Sequence, residues 1–137
     1  MVSDVDVVTR WYEAIAERRL DTLRDLADPQ IEFIVPDAFP SGGRYVGHQS
    51  VFDGFFRESA KTWSELTPCV DEVIDGDSAV VVRGRYVGRT AVTDIAFDVP
   101  FAHVWRVASG KLVFMQQYVD TALLRDCIEG RLRGKDL

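Results

Sequence analysis

Within this chain, His103 is the side chain best suited to chemistry. It sits in Phe97-Asp98-Val99-Pro100-Phe101-Ala102-His103-Val104-Trp105-Arg106-Val107, whose odd positions are Phe, Val, Phe, His, Trp and Val. Alternate side chains of a strand share a face, so five large apolar groups carry the imidazole inward with them. There it either bonds a backbone carbonyl in a core or enters a pocket. In a pocket it could hydrogen-bond a substrate carbonyl oxygen as that oxygen gains charge. Burial depresses its pKa and keeps it neutral, which leaves one N–H donor.

Three further polar residues are candidates. Gln117 shares a face with Val113, Met115 and Val119 if its strand is regular. A buried amide needs partners, so Gln117 serves a ligand or ties itself to His103. Asp37 follows Pro36 in a loop that could swing over a pocket mouth, although Pro-Asp is also ordinary turn chemistry. Asp120 immediately precedes a helix, where capping competes with any role as a base. Around these groups, Trp11, Phe33, Val35, Phe55, Phe56, Tyr86, Phe101 and Trp105 are either core or the wall of a site for an apolar ring. His48 is assigned no role. Two distant histidines and the unclustered Cys69 and Cys127 do not suggest a metal site or a disulfide framework.

The elements that must position these groups are legible from periodicity. Val5, Val8, Trp11, Tyr12 and Ile15 recur at helical spacing, and Ser3 with Asp6 offers a capping box. Leu20, Leu23 and Leu26 continue as a short helix ended by Asp28-Pro29. Ile31, Phe33 and Val35 alternate as a strand stopped by Pro36, and Asp37 to Gly47 reads as a loop. Val51, Phe52, Phe55, Phe56, Ser59 and Ala60 make a third helical stripe. From about residue 67 the pattern turns to strands, with tight turns at Asp75-Gly76-Asp77 and Ser109-Gly110. Leu123, Leu124, Cys127 and Ile128 close the chain as a short helix. Helices first and an antiparallel meander second imply an α+β fold, with helices on one face of a curved sheet.

The chain has 137 residues, 47% of them apolar, and a net charge of −6. That size suits one domain, with a core over about 4–129 and a flexible tail at 130–137. The acidic balance argues against a nucleic-acid partner, although Arg125, Arg131, Arg133 and Lys135 cluster near the end. No run reaches the roughly 18 apolar residues of a membrane helix, and the acidic start is unlike a signal peptide. A cytoplasmic setting is expected.

Pro-Phe-Ala-His-Val-Trp-Arg-Val, Ser-Gly-Lys-Leu-Val and Gln-Gln-Tyr-Val-Asp-Thr-Ala, in this order of elements, resemble the nuclear transport factor 2-like superfamily. Within it, the SnoaL-like and ketosteroid-isomerase-like groups are most similar. The resemblance implies a cone-shaped curved antiparallel sheet wrapped around N-terminal helices, over about residues 4 to 129. Ketosteroid isomerases hold an enolate oxygen with a first-helix tyrosine, which matches Trp11, and a protonated strand aspartate, which matches His103. Their base, an aspartate before a proline, matches Val35. The strand histidine of SnoaL-like cyclases matches His103, while their proton-abstracting aspartate matches Gln117, which cannot be a base. The Asp-Arg-Asp constellation of the epoxide hydrolases is disfavoured, because Arg83 and Arg85 alternate onto the convex face, with Val87 and beside Asp71 and Val73.

What this implies is a pocket for a small apolar or aromatic molecule. The catalytic form would be cofactor-independent proton transfer next to a carbonyl: isomerisation, cyclisation or dehydration. His103 would stabilise the enolate oxygen, Gln117 would orient it, and Asp37 or Asp120 would move the proton. The alternative is a binding or accessory module of the same fold. Relatives usually dimerise through the convex face, so a homodimer is expected.

Overall fold

The computed structural model describes residues 2–131. Helices α1 (Asp4–Ala16) and α2 (Leu20–Leu26) lead into strands β1 (Ala27–Val35) and β2 (Gly43–Val46). A composite helix follows, α3, which is π-wound over Gln49–Phe56, α-helical over Arg57–Ser59 and closed by a 3-10 turn at Ala60–Thr62. Then come β3 (Trp63–Asp75), β4 (Val80–Thr90), β5 (Ala96–Ala108), β6 (Lys111–Val119) and helix α4 (Thr121–Ile128). Arg133 and Lys135 of the basic cluster lie outside the described residues. Gly130 and Arg131, expected in a flexible tail, instead close α4, with the Arg131 amide bonded to the Asp126 carbonyl at 2.8 Å.

The six strands form one sheet in the order β2-β1-β6-β5-β4-β3. Four of its pairings are antiparallel, whereas β1 pairs with β6 in parallel. The sheet is therefore mixed rather than purely antiparallel. After β2 the chain crosses along α3 to the opposite edge, and it meanders back until β6 lies beside β1. The stretch expected to be loop holds an edge strand, because Gly43–Val46 can pair with Val35–Glu32. Strand structure also starts at Trp63, earlier than the periodicity suggested.

The capping box is present, with Ser3 Oγ accepting from the Asp6 amide and the Asp6 carboxylate accepting from the Ser3 amide. Val7, Val8, Trp11, Tyr12 and Ala14 of α1 are buried against the inner face of the sheet. Two glycines let that face curl. Gly84 and Gly88 of β4 pair with Phe101 and Phe97 of β5, and each phenyl ring lies over its glycine. A Cβ at Gly84 would stand 2.8 Å from the Phe101 ring and 2.3 Å from the Cys69 carbonyl oxygen. Only a missing side chain permits that approach.

Bulges change two expected faces. The irregularity between Arg106 and Val107 pairs Val107 with Leu112 and Arg106 with Phe114. Leu112 is consequently buried, and Val113 leaves the inner row that it was expected to share with Met115 and Gln117. A second irregularity, between Val70 and Glu72, pairs Val73 with Val82, so Val73 packs against the core rather than lying outside.

Candidate functional site

Concave-face side chains of β4, β5 and β6 meet α1 and α3 around a cavity of about 370 Å³. That volume is within the range of small-molecule sites. Trp11, Phe33, Phe55, Phe56, Tyr86, His103, Trp105 and Gln117 line it, as the sequence suggested. Phe39, Met115, Leu23 and Leu66 add apolar wall, and Arg18 with Leu20 stands where the cavity reaches solvent. The wide winding of α3 brings Phe55 and Phe56 to the wall together, in contact with Phe33 at centroid distances of 6.2 and 5.8 Å.

Four expected residues are elsewhere. Val35, paired with Gly43 at the end of β1, is buried core and does not line the cavity. Phe101 backs the site rather than lining it, stacked on the imidazole at 4.0 Å with 18° between planes. Asp37 is exposed in the loop after β1 and does not line the cavity. Asp120 is exposed as well, and its carboxylate accepts from the Leu123 amide at 3.0 Å as the N-cap of α4. A proton transfer by either carboxylate therefore has no geometric support: turn and cap chemistry hold both outside.

His103 and Gln117 face each other directly across β5 and β6. The polar cluster is larger than that pair. Trp105 Nε1 donates to the Tyr12 hydroxyl oxygen at 2.8 Å. The Tyr12 hydroxyl lies 2.5 Å from His103 Nδ1. On the other side of the ring, His103 Nε2 lies 2.7 Å from the Tyr86 hydroxyl and 3.2 Å from Gln117 Oε1. Tyr86 in turn donates to Gln117 Oε1. All five side chains are buried.

Donor accounting gives this chain a direction. An indole N–H can only donate, so the Tyr12 oxygen must accept from Trp105. The Tyr12 proton then has one available acceptor, His103 Nδ1, which fixes the Nε2–H tautomer. Nε2–H donates to the Tyr86 oxygen, and the Tyr86 proton goes to Gln117 Oε1. Reversing the sequence, with the amide flipped, would strand the Tyr12 proton in an apolar core at a cost of about 1–3 kcal/mol. The relay thus runs Trp105 to Tyr12 to His103 to Tyr86 to Gln117. It ends at Gln117 Nε2, which is buried without a protein partner.

Burial keeps every member neutral. It lowers the His103 pKa to about 3, opposed in part by the hydrogen bond with Gln117. Burial likewise pushes the Tyr12 phenol far above its ordinary value, against the Trp105 hydrogen bond. Tyr86 rises well above its ordinary value, through burial first and the neighbouring Tyr12 second. Contrary to expectation, His103 has no free N–H for a ligand, since both ring nitrogens are engaged. The donor left without a protein partner belongs to Gln117, whose side chain lines the cavity.

Tyr12 is the residue the sequence reading missed. Trp11 was matched to the enolate-binding tyrosine of the isomerases, yet Trp11 packs on Trp105 at 5.2 Å and it is the next residue that reaches the imidazole. A signal was available. A tyrosine in a buried helical stripe needs a partner for its hydroxyl, and so does an inward histidine.

On the outer face, Arg83 pairs with Glu72 at 3.1 Å, and Arg85 pairs with Asp71 at 3.5 Å and Asp98 at 2.6 Å. Both point away from the cavity, as their alternation implied. Among the described residues, no three His, Cys, Asp or Glu side chains gather as metal ligands would. No helix among them is long and apolar enough to cross a membrane.

The family described as SnoaL-like domain matches residues 8–115. An NTF2-like protein from Burkholderia thailandensis is 29% identical, with a TM-score of 0.88 over 93% of this chain and 98% of that one. Another NTF2-like protein, from Burkholderia pseudomallei, is 27% identical, with a TM-score of 0.85 over 93% of this chain and 98% of that one. TerC, co-crystallised with polyporic acid, shares the fold at 20% identity, with a TM-score of 0.83 over 91% of this chain and 97% of that one. No curated protein matches the sequence.

Proposed function

The chain belongs to the SnoaL-like domain family, and from that premise we propose that its cavity binds a small, ring-containing, largely apolar molecule. The observation that carries this reading is Gln117 Nε2, a buried donor without a protein partner, on a residue that lines an aromatic cavity of about 370 Å³. A carbonyl oxygen on the ligand satisfies that donor, while the rings meet Trp11, Phe33, Phe55, Phe56 and Trp105. The TerC co-crystal with polyporic acid supports the reading by analogy of fold. Titrating the protein with 2-acetonaphthone, an aromatic ketone, and with polyporic acid tests it by thermal unfolding. At one hundred times Kd a ligand stabilises the native state by about 2.7 kcal/mol. Failure of every aromatic ketone in such a panel to raise Tm would sink the proposal.

A catalytic version has one specific observation in its favour. A preorganised donor at the end of a buried, directed relay is what an enolate oxygen requires. In that version Gln117 holds the oxygen and His103 acts through Tyr86 as a positioning residue. The reaction is then proton transfer next to the carbonyl, with Asp37 or Asp120 as the base only after a loop movement. Binding stands first because both carboxylates lie outside the cavity. Deuterium exchange at the α-carbon of a bound ketone, followed by NMR, separates the two versions. Exchange as fast with His103→Ala as with the wild type would remove His103 from the mechanism.

The outer face is proposed to carry the homodimer contact. Exposed Ile74, Val87 and Tyr118, set among its ion pairs, support that assignment. Sedimentation at micromolar concentration that yields only monomer would contradict it.

A further inference from the structure

Resting on the ligand reading above, we infer that the cavity is built for an anionic amphiphile. Its ring body would enter the aromatic interior, an oxygen would accept from Gln117, and a carboxylate or similar anion would remain at the mouth on Arg18.

Arg18 is the one charged side chain among the described residues lining the cavity. Its neighbours on the same helix end are engaged: Arg10 with Glu13 and Glu17, and Arg19 with Asp21. The Arg18 guanidinium, in contrast, has no carboxylate at ion-pair distance among the described residues. The cavity wall is otherwise neutral, so a ligand that fills it brings any counter-charge itself.

The backbone at Arg18 supports the same assignment. Helix α1 ends with the Arg18 amide bonded to the Ile15 carbonyl at 3.1 Å and the Arg19 amide bonded to the Ala14 carbonyl at 2.9 Å. Helix α4 ends with the same pair of bonds, from Gly130 to Cys127 and from Arg131 to Asp126. The corresponding positions are both left-handed, with φ 57° at Arg18 and 72° at Gly130. At α4 the position holds glycine, which adopts this conformation without steric cost. At α1 it holds arginine, a residue that folding alone disfavours there. The left-handed turn sets Arg18 in the wall of the cavity, where its side chain has a task that glycine could not perform.

Three probes of matched shape separate the two anchors in isothermal titration calorimetry of the full chain. These are 6-hydroxy-2-naphthoic acid, its methyl ester, and 2-naphthoic acid. The free acid should bind about tenfold tighter than the ester, the value of one charge-assisted hydrogen bond. Arg18→Gly should abolish that preference, bringing the affinity for the acid down to that for the ester. It should also raise Tm of the free protein by roughly 3 °C, since the left-handed position then holds glycine. A purely structural Arg18 would give neither the lost preference nor the gain in Tm. Gln117→Leu should erase the advantage of the hydroxy acid over 2-naphthoic acid while keeping the preference for acid over ester. Equal affinity of the wild type for acid and ester would overturn the anionic assignment and leave the ligand reading intact. Binding by none of the three would overturn both.

Discussion

On β4, Arg83 and Arg85 face one way, while Tyr86, between Arg85 and Val87, faces the other. The outward pair carries full charges, each within 4 Å of an opposite charge and all of them wet. The inward hydroxyl is neutral, buried and bound on both sides. Coulomb energy between exposed groups is screened by water and offset by side-chain ordering, so such pairs contribute little. Where water is excluded, each hydrogen bond has no substitute, and a missing partner leaves its neighbour stranded. One strand therefore separates two kinds of polarity. The charged kind on the outside can be altered cheaply, and the neutral kind inside cannot.

The sharpest way to break that contrast is His103→Ala. It deletes a packed ring, strands the Tyr12 proton and leaves the Tyr86 oxygen without its donor, so unfolding free energy should drop by about 4 kcal/mol. A loss under 1 kcal/mol in urea titration would show that the relay is not a unit. Tyr12→Phe should follow at about 3 kcal/mol, because it strands the Trp105 N–H and leaves Nδ1 without a donor.

Acidification probes the same unit without mutation. The unfolded imidazole takes up a proton near pH 6.5, whereas the folded one stays neutral down to about 3. Between these values the unfolded state binds more protons, so stability falls as pH falls. From pH 7 to pH 5 the loss assignable to His103 is about 2 kcal/mol. Measuring the wild type against His103→Gln at both values isolates it; parallel curves would contradict the burial assigned to the ring. At the far end of the scale, Arg85→Ala should leave the urea midpoint where it was. A clear shift would mean that the outer ion pairs are coupled more tightly than their exposure implies.

Much of this was readable from residue order. The β5 stripe placed His103, Trp105 and Phe101 on the inner face, and a two-residue periodicity cannot put them anywhere else once one of them is buried. Counting from the turn at Ser109-Gly110 alone would pair His103 with Gln116, and the bulge after Arg106 shifts its partner to Gln117. Periodicity could not reveal the bulge after Arg106, because the extra residue is invisible until two strands are in register. That is why Leu112 displaced Val113 from the core. The parallel β1–β6 pairing escaped for a related reason: it joins segments roughly 80 residues apart, with no local turn to announce it. The Tyr12 contact spans 91 positions. Helical spacing gave the side it faces but not what it touches. Asp37 and Asp120 failed differently, because a carboxylate beside a turn or a helix start satisfies local geometry first.

In the proposed complex Trp105 never meets the ligand's oxygen, yet it governs which oxygen the cavity takes. Since its indole can only give a proton, every hydrogen bond from Tyr12 to Gln117 inherits one sense, and the last group offers rather than receives. Selectivity for a carbonyl over a hydroxyl donor is thus set four side chains upstream of the contact that would express it. Replacing the indole at position 105 by a group that accepts would let the whole row turn over. The preference of the site would then invert with Tyr12, His103, Tyr86 and Gln117 all unchanged.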